Sequence, residues 1–541
     1  MASSPTAFHL RVQPAAGLKR PRESSLCLGT TWTLLLVLRN ASLSVVFAWL
    51  AAFGLSLGSV ITNLSVAKQT TMDFAVSVLT VSKFLNWVFV IATHAALLLQ
   101  HPRVRALPLA QRPGALRCAL TIAWKTMPGF LALNIATLVL GVLVYHLSPS
   151  VRRTKVHVYI TLFLMHLDTI VASLATQSAF LEHAESIGRL AGPQGDATAN
   201  AIAPSAASEQ KQPRRARPRS YAARFMRLFR QLATSLLATH IAAAYAQFAA
   251  RLPLHSQEQM GLFTLASVVL KVLLQELTRH YVLHRRLQSA RVMAVIVGIP
   301  TIAIDTQMRI VLLRAHNTRT QLSGSFAMAV IEVLVRLVKT HIVHNQIRSQ
   351  ERARGLRSAR ASIAQRATDL MRRVSSRTNG ENATETAIAP SQGRRRLRQS
   401  PSLLEFEGWK TRLLRHHATE VYLDMLSEYV AMGCAYAVLI VFWAHPKYLL
   451  AVEPGHAILS TDASMAMDEK LTMAQLQLWV VGVQMALEIV VDFVSCVLAA
   501  LNGVNMALLE SHSLFMAFFL IWAAVGNVII SANMLLRDDA S

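Results

Sequence analysis

Apolar blocks of about twenty residues or more recur along this chain, and they leave it few ways to fold in water. Hydrocarbon about 30 Å thick is crossed by a helix rising ~1.5 Å per residue, so each block is long enough to span a bilayer. Eleven are legible: Leu43–Thr62, Phe74–Leu99, Ala119–Leu147, Val158–Leu181, Leu232–Ala249, Gly261–Leu283, Val292–Leu313, Leu322–Asn345, Val421–Ala444, Leu476–Leu501 and Ser513–Leu536. The expected fold is an all-α, polytopic transmembrane helical bundle of about eleven spans (ten to twelve), with disordered basic cytoplasmic loops. Leu232–Ala249 is the weakest block, being short, Ala-rich and interrupted by His240 and Gln247.

Orientation follows from the charge. Gln346–Arg415 holds sixteen Lys and Arg between two apolar blocks, including Arg352, Arg354, Arg357, Arg360 and the run Arg394-Arg395-Arg396-Leu-Arg398. Translocating such a segment is disfavoured, so it stays cytoplasmic. With eleven spans, 37 of the 54 Lys and Arg then fall on the cytoplasmic side. The N-terminus is expected inside and the C-terminus outside. The misfit is the outer trio Arg152, Arg153 and Lys155. The resulting organisation is a cytoplasmic tail 1–42, spans over 43–183, a disordered basic loop 184–231, spans over 232–345, an Arg-rich loop 346–420, spans over 421–536, and a tail 537–541.

Composition agrees with a membrane class: mean hydropathy is +0.38 and 53% of residues are hydrophobic. The net charge of +25 does not indicate nucleic acid, because the bases sit between apolar spans where orientation accounts for them. The partner is the lipid bilayer. Basic amphipathic helices expected within Ser220–Leu232, Arg352–Val374 and Ser402–Arg415 suit anionic lipids at its surface. Ser375 and Ser400 follow arginines in kinase-target-like strings, where a phosphate would cancel local charge. Three Asn-x-Ser/Thr sites, at Asn40, Asn63 and Asn382, are expected to carry no glycan, two being cytoplasmic and one pressed against the membrane. Cys27, Cys118, Cys434 and Cys496 have neither metal nor disulfide spacing.

The chemistry, if any, lies in charges placed near span centres: Asp168, Lys271, Asp305, Glu332 and Glu488. A charge there costs roughly 2.5–3.5 kcal/mol on insertion scales, so these groups must pair, face inward or line a wet cavity. Asp305 with Arg309, and Glu332 with Arg336, are four apart and expected to pair along one helix. Lys271 lacks an acid at that spacing and is expected to reach Asp168, Glu488 or Asp492. Glu488 and Asp492 share a face and repel, unless one is protonated or a cation lies between them. Gly298-Ile-Pro300 is expected to kink or break its helix just before Asp305. A faint repeat at an offset of 61 lays Ala266–Val282 over Ala327–Val343 and places Lys271 on Glu332.

No phosphate loop, dinucleotide fingerprint, HExxH, GxSxG, kinase set or potassium-filter motif is present. No catalytic residue, cofactor or metal ligand set is therefore expected. The leading function is transport or channel-like movement of a cation or proton-coupled solute past the midplane charges. The alternative is a non-enzymatic membrane scaffold or signalling protein acting through its basic loops. A membrane-embedded transferase using His416, His417 and Glu420 is a third.

Overall fold

The computed structural model describes residues 23–57, 63–65, 68–99, 104, 112–147, 153–190, 221–252, 257–284, 290–313, 318–378, 401–442, 445, 447–448, 463–501 and 513–536. They form eleven long helices, which we number α1 (Glu23–Ser56), α2 (Thr71–Leu99), α3 (Ala115–Leu147), α4 (Val156–Leu190), α5 (Tyr221–Arg251), α6 (Gln257–His284), α7 (Ala290–Leu313), α8 (Thr318–Thr378), α9 (Pro401–Phe442), α10 (Ala463–Leu501) and α11 (Ser513–Leu535). No strand occurs among the described residues, only a bridge between Tyr448 and Leu536.

One connected set of contacts marks one end of the bundle. Lys447 Nζ donates to Thr71 Oγ1 at the start of α2, and Tyr448 bridges to Leu536 past α11. Lys155 Nζ donates to the Leu536 carbonyl, and Gln247 near the end of α5 reaches the Arg153 carbonyl. Ala249, Phe263 and Val311 then join the ends of α5 and α7 to the start of α6. Starts of even-numbered helices and ends of odd-numbered ones meet here, so successive helices run antiparallel. The opposite end is where α2 meets α3 through Leu98 and Cys118, and where α8 meets α9 through Ile347 and Leu413.

α7 and α9 form the middle, with 94% and 89% of their apolar windows buried, and α1 and α11 pack beside them. Close approach at these contacts needs glycine. A Cβ on Gly433 of α9 would come within 2.5 Å of Val45 Cγ2 on α1, and one on Gly298 of α7 within 2.9 Å of the Phe519 ring on α11. Gly298 thus serves packing, and of the kink or break expected near Pro300 the break does not occur, α7 running continuously through it. The neighbouring Thr301 hydroxyl donates to the Val297 carbonyl within that turn.

Nine of the described helices are long and apolar enough to cross a membrane; α5 and α8 fall short. Both shortfalls have a physical reason. On α8, Phe326, Val330, Leu334, Val338 and Ile342 form an exposed apolar stripe, while Glu332, Arg336 and Lys339 are buried on the other face. Such a helix is inside-out relative to one in water, and average hydropathy undervalues it because its charges never meet lipid. On α5 the buried residues are all small, among them Ser235, Ala238, Ala242, Ala243 and Ala246, and Leu237 and Phe248 point outward. Small residues inward and large ones outward is the pattern of helices that pack closely in lipid. The protein is a multi-pass helical bundle of membrane type.

The basic segment 346–420 is far more helical than a loop. α8 continues 33 residues past Asn345, and α9 begins at Pro401; residues 379–400, including Ser400, lie outside the described set. The two helices form an antiparallel hairpin. Leu413 packs on Val343 and Ile347, Arg354 lies 5.2 Å over the Phe406 ring, and Lys410 bridges to Glu351 at 3.0 Å. Similarly, α4 persists to Leu190 and α5 starts at Tyr221 within the expected basic loop.

A buried column of charge

Four basic and seven acidic side chains from five helices meet inside the bundle, none more than 7% exposed. α6 brings Lys271, α7 Asp305 and Arg309, α8 Glu332, Arg336 and Lys339, α9 Glu420, Asp424 and Glu428, and α10 Glu488 and Asp492. Helical spacing places them: each helix presents one face, and Glu420, Asp424 and Glu428 recur every four residues on α9.

The pairing runs across helices. Lys271 Nζ donates to Asp305 at 2.8 Å and lies 3.7 Å from Glu332 and 3.9 Å from Glu428. Arg309 meets Glu488 at 2.5 Å. Arg336 holds Glu428 at 2.5 Å and Asp492 at 2.8 Å, and donates to Ser495. Lys339 bridges Glu420 at 2.8 Å and Asp424 at 3.7 Å, and also donates to Gln275, whose amide donates to Asp424. Neither expected intrahelical pair, Asp305 with Arg309 or Glu332 with Arg336, closes into a salt bridge. Each member instead faces a neighbouring helix, where both partners can be buried at once. Glu488 and Asp492 avoid each other in the same way, each taking a different arginine.

Asp168 stands apart from this column. It pairs at 2.5 Å with Lys83 of α2, a partner the sequence reading missed, and so is not available to Lys271. Farther along the same two helices His94 contacts Ser173 at 2.9 Å. Glu428, Asp424 and Lys339 also join the column without having been singled out as pathway residues. The four-residue spacing of acids from Glu420 to Glu428 was the available signal.

Three features bear on chemistry. Oxygens of Glu332, Glu428 and Glu488 lie within 4.8 Å of one another. Glu332 Oε2, Glu428 Oε2, Glu488 Oε2, Asp305 Oδ1 and Asp492 Oδ2 are buried with no hydrogen-bond partner. Polar contacts continue the column beyond the charges, with Gln484 donating to Ser325 at 2.5 Å and Gln321 to the Leu313 carbonyl at 3.1 Å. His416 lies 3.8 Å from Glu420 at the opposite end, and His417 contacts Thr340 at 3.4 Å. The arrangement can hold positive charge at several depths.

A separate cavity of about 40 Å³ lies among α2, α4, α5, α7 and α11, walled by Leu162, Ile299 and Trp522 with Asn86, His166 and Asn527 at its polar points. It has room for about two or three waters. No family model, curated protein or solved structure matches the chain.

Proposed function

We propose that this multi-pass protein moves a cation, or a solute coupled to protons, through the bundle along the charged column. The observation that carries the reading is the imbalance in the column of seven buried carboxylates against four buried Lys and Arg, with the buried His416 and His417 only at its basic end. A fold needing only internal glue would match its charges, because each uncompensated buried ion costs several kcal/mol. An excess of carboxylates is what a path for positive charge requires.

The basic end of the bundle is placed in the cytoplasm, with the N-terminus on that side and the C-terminus opposite, on the rule that arginine-rich segments are not translocated. The lipid bilayer is the surrounding partner. Anionic lipids at that surface are the expected contacts of hairpin residues near the bundle such as Arg348, Arg412 and Arg415.

The test is cation flux in proteoliposomes holding the purified chain. Glu488→Gln and Asp305→Asn are expected to abolish flux while the protein still inserts and elutes as the parent does. Flux at the parental rate in both variants would refute the reading. The scaffold alternative draws support from the α8–α9 hairpin, whose exposed Ile363, Arg366 and Leu370 offer a surface away from the bundle. It expects deletion of 349–400 to destroy function and those two variants to change only stability.

A further inference from the structure

We infer that the cation carried is the proton, and that Glu332, Glu428 and Glu488 hold it at the middle of the bundle. This rests on the transport reading and names its cargo.

Charge comes first. Around the three glutamates stand five carboxylates, with Asp305 and Asp492, and three bases, Lys271, Arg309 and Arg336. Two negative charges have no counter-charge among these groups. Buried where effective dielectric is low, they draw in positive charge from outside.

The neighbours then select its form. Each glutamate already faces a base: Glu332 has Lys271 at 3.7 Å, Glu428 has Arg336 at 2.5 Å and Glu488 has Arg309 at 2.5 Å. Three fixed cations that close repel a metal ion. A hard divalent ion also wants six or more oxygens, and three carboxylates pinned by bases supply few. A proton needs only one free oxygen. Glu332 Oε2, Glu428 Oε2 and Glu488 Oε2 are buried without a hydrogen-bond partner, and one oxygen of each glutamate lies within 4.8 Å of one from each of the others.

A line of titratable groups also leads from the three glutamates towards the basic end. From the basic end, His416 stands beside Glu420, and Asp424 and Glu428 follow at four-residue steps, ~6 Å apart along the axis of α9. His417, Thr340, Lys339 and Gln275 face this stretch from α8, α9 and α6. Passing a proton forward breaks an O–H bond on one carboxylic acid and forms one on the next carboxylate. The donor is left as a carboxylate, and no other reactant is consumed.

The experiment uses the full chain in phosphatidylcholine vesicles with an interior pH dye and a potassium–valinomycin potential, and tracer uptake of Na⁺ and Mn²⁺ in parallel. The parent is expected to pass protons and neither metal ion. Glu428→Gln, Glu332→Gln and Glu488→Gln should each lower proton flux on the order of 10²-fold. Glu428→Asp should retain partial flux, which separates loss of the carboxyl from loss of the fold. Glu351→Gln, on the exposed hairpin, should pass protons as the parent does. Proton flux unchanged in all three glutamine variants overturns the inference. Na⁺ or Mn²⁺ uptake that depends on Glu428, without proton flux, also overturns it while leaving the transport reading standing. No flux of any ion removes both.

Discussion

Removing Lys83 alone should injure the protein more than removing Lys83 and Asp168 together. The pair joins α2 to α4 at 2.5 Å, with side chains 0% and 2% exposed. Lys83→Met leaves the Asp168 carboxylate buried without its cation. Left charged, it costs ~3–5 kcal/mol, the usual penalty for breaking a buried pair. Its escape is to take a proton. Against an ordinary carboxyl titrating near ~3.9, that costs about 4 kcal/mol at pH 7 and about 1.5 at pH 5. The cheaper course governs, so the expected loss is ~3–4 kcal/mol at pH 7, shrinking in acid. In the protonated native variant the folded state binds a proton that the unfolded chain does not bind above pH ~4. Its stability therefore falls as pH rises, by up to ~1.4 kcal/mol per unit. The double variant Lys83→Met/Asp168→Leu has no charge to strand and should lie within ~1 kcal/mol of the parent or above it. Equilibrium unfolding in mixed micelles at pH 5, 6 and 7 measures all three proteins. A double variant as unstable as Lys83→Met, or a single variant with no pH slope, would refute the reasoning.

Two further outcomes follow from contacts elsewhere. Gly433→Ala should cost ~1–3 kcal/mol by forcing α1 off α9, and Val45→Ala should restore most of it, read by the same unfolding assay. His445, beyond the end of α9, packs against Phe74, Phe442 and Tyr448 and is driven down to about 4 by burial and by the nearby Lys447 charge. Its neutral form is the native one, with Nδ1 accepting from the Lys447 amide. The unfolded chain takes up the proton first, near ~6.5, so stability is full above that pH and declines as pH falls towards 4. His445→Phe should flatten the acid limb of a stability-against-pH curve, and an unchanged limb would rule the residue out.

The apolar blocks were legible because hydrocarbon sets their length directly, and each expected span overlaps one of the eleven helices, although Leu43–Thr62 runs past the end of α1, whose apolar stretch already begins at Gly29 inside the expected tail. What surrounds them was less so. Residues 346–378 are polar, and a surface helix was legible over Arg352–Val374; what was not is that it continues α8 without a break, since an arginine-rich sequence has good helical propensity and a partner helix in α9 to pack on. Partner choice inside the bundle was hidden for another reason. Spacing reveals which charges share a helix face, but not which helix lies opposite. Arg309 could be placed beside Asp305 from sequence, whereas Glu488 lies 179 residues away. Lys83 went unnoticed because a single base in a long apolar run leaves the average hydropathy high, at 1.8 for that span.

The two charged regions answer to different physics, and distance separates them. Arg366 lies 27 residues beyond Lys339 on one continuous helix, ~40 Å at 1.5 Å per residue. Charges exposed to salt solution are screened over about 8 Å, so arginines that far along the hairpin exert almost no field at the mouth of the column. Inside the bundle screening is weak, and Glu332, Glu428 and Glu488 feel every base around them. Orienting the protein and carrying charge can thus be assigned to separate residues. By the positive-inside rule, arginines of the distal hairpin would hold that end on one side of the bilayer. On the transport proposal, the unmatched carboxylates, enclosed by the five helices that carry them, would decide what passes.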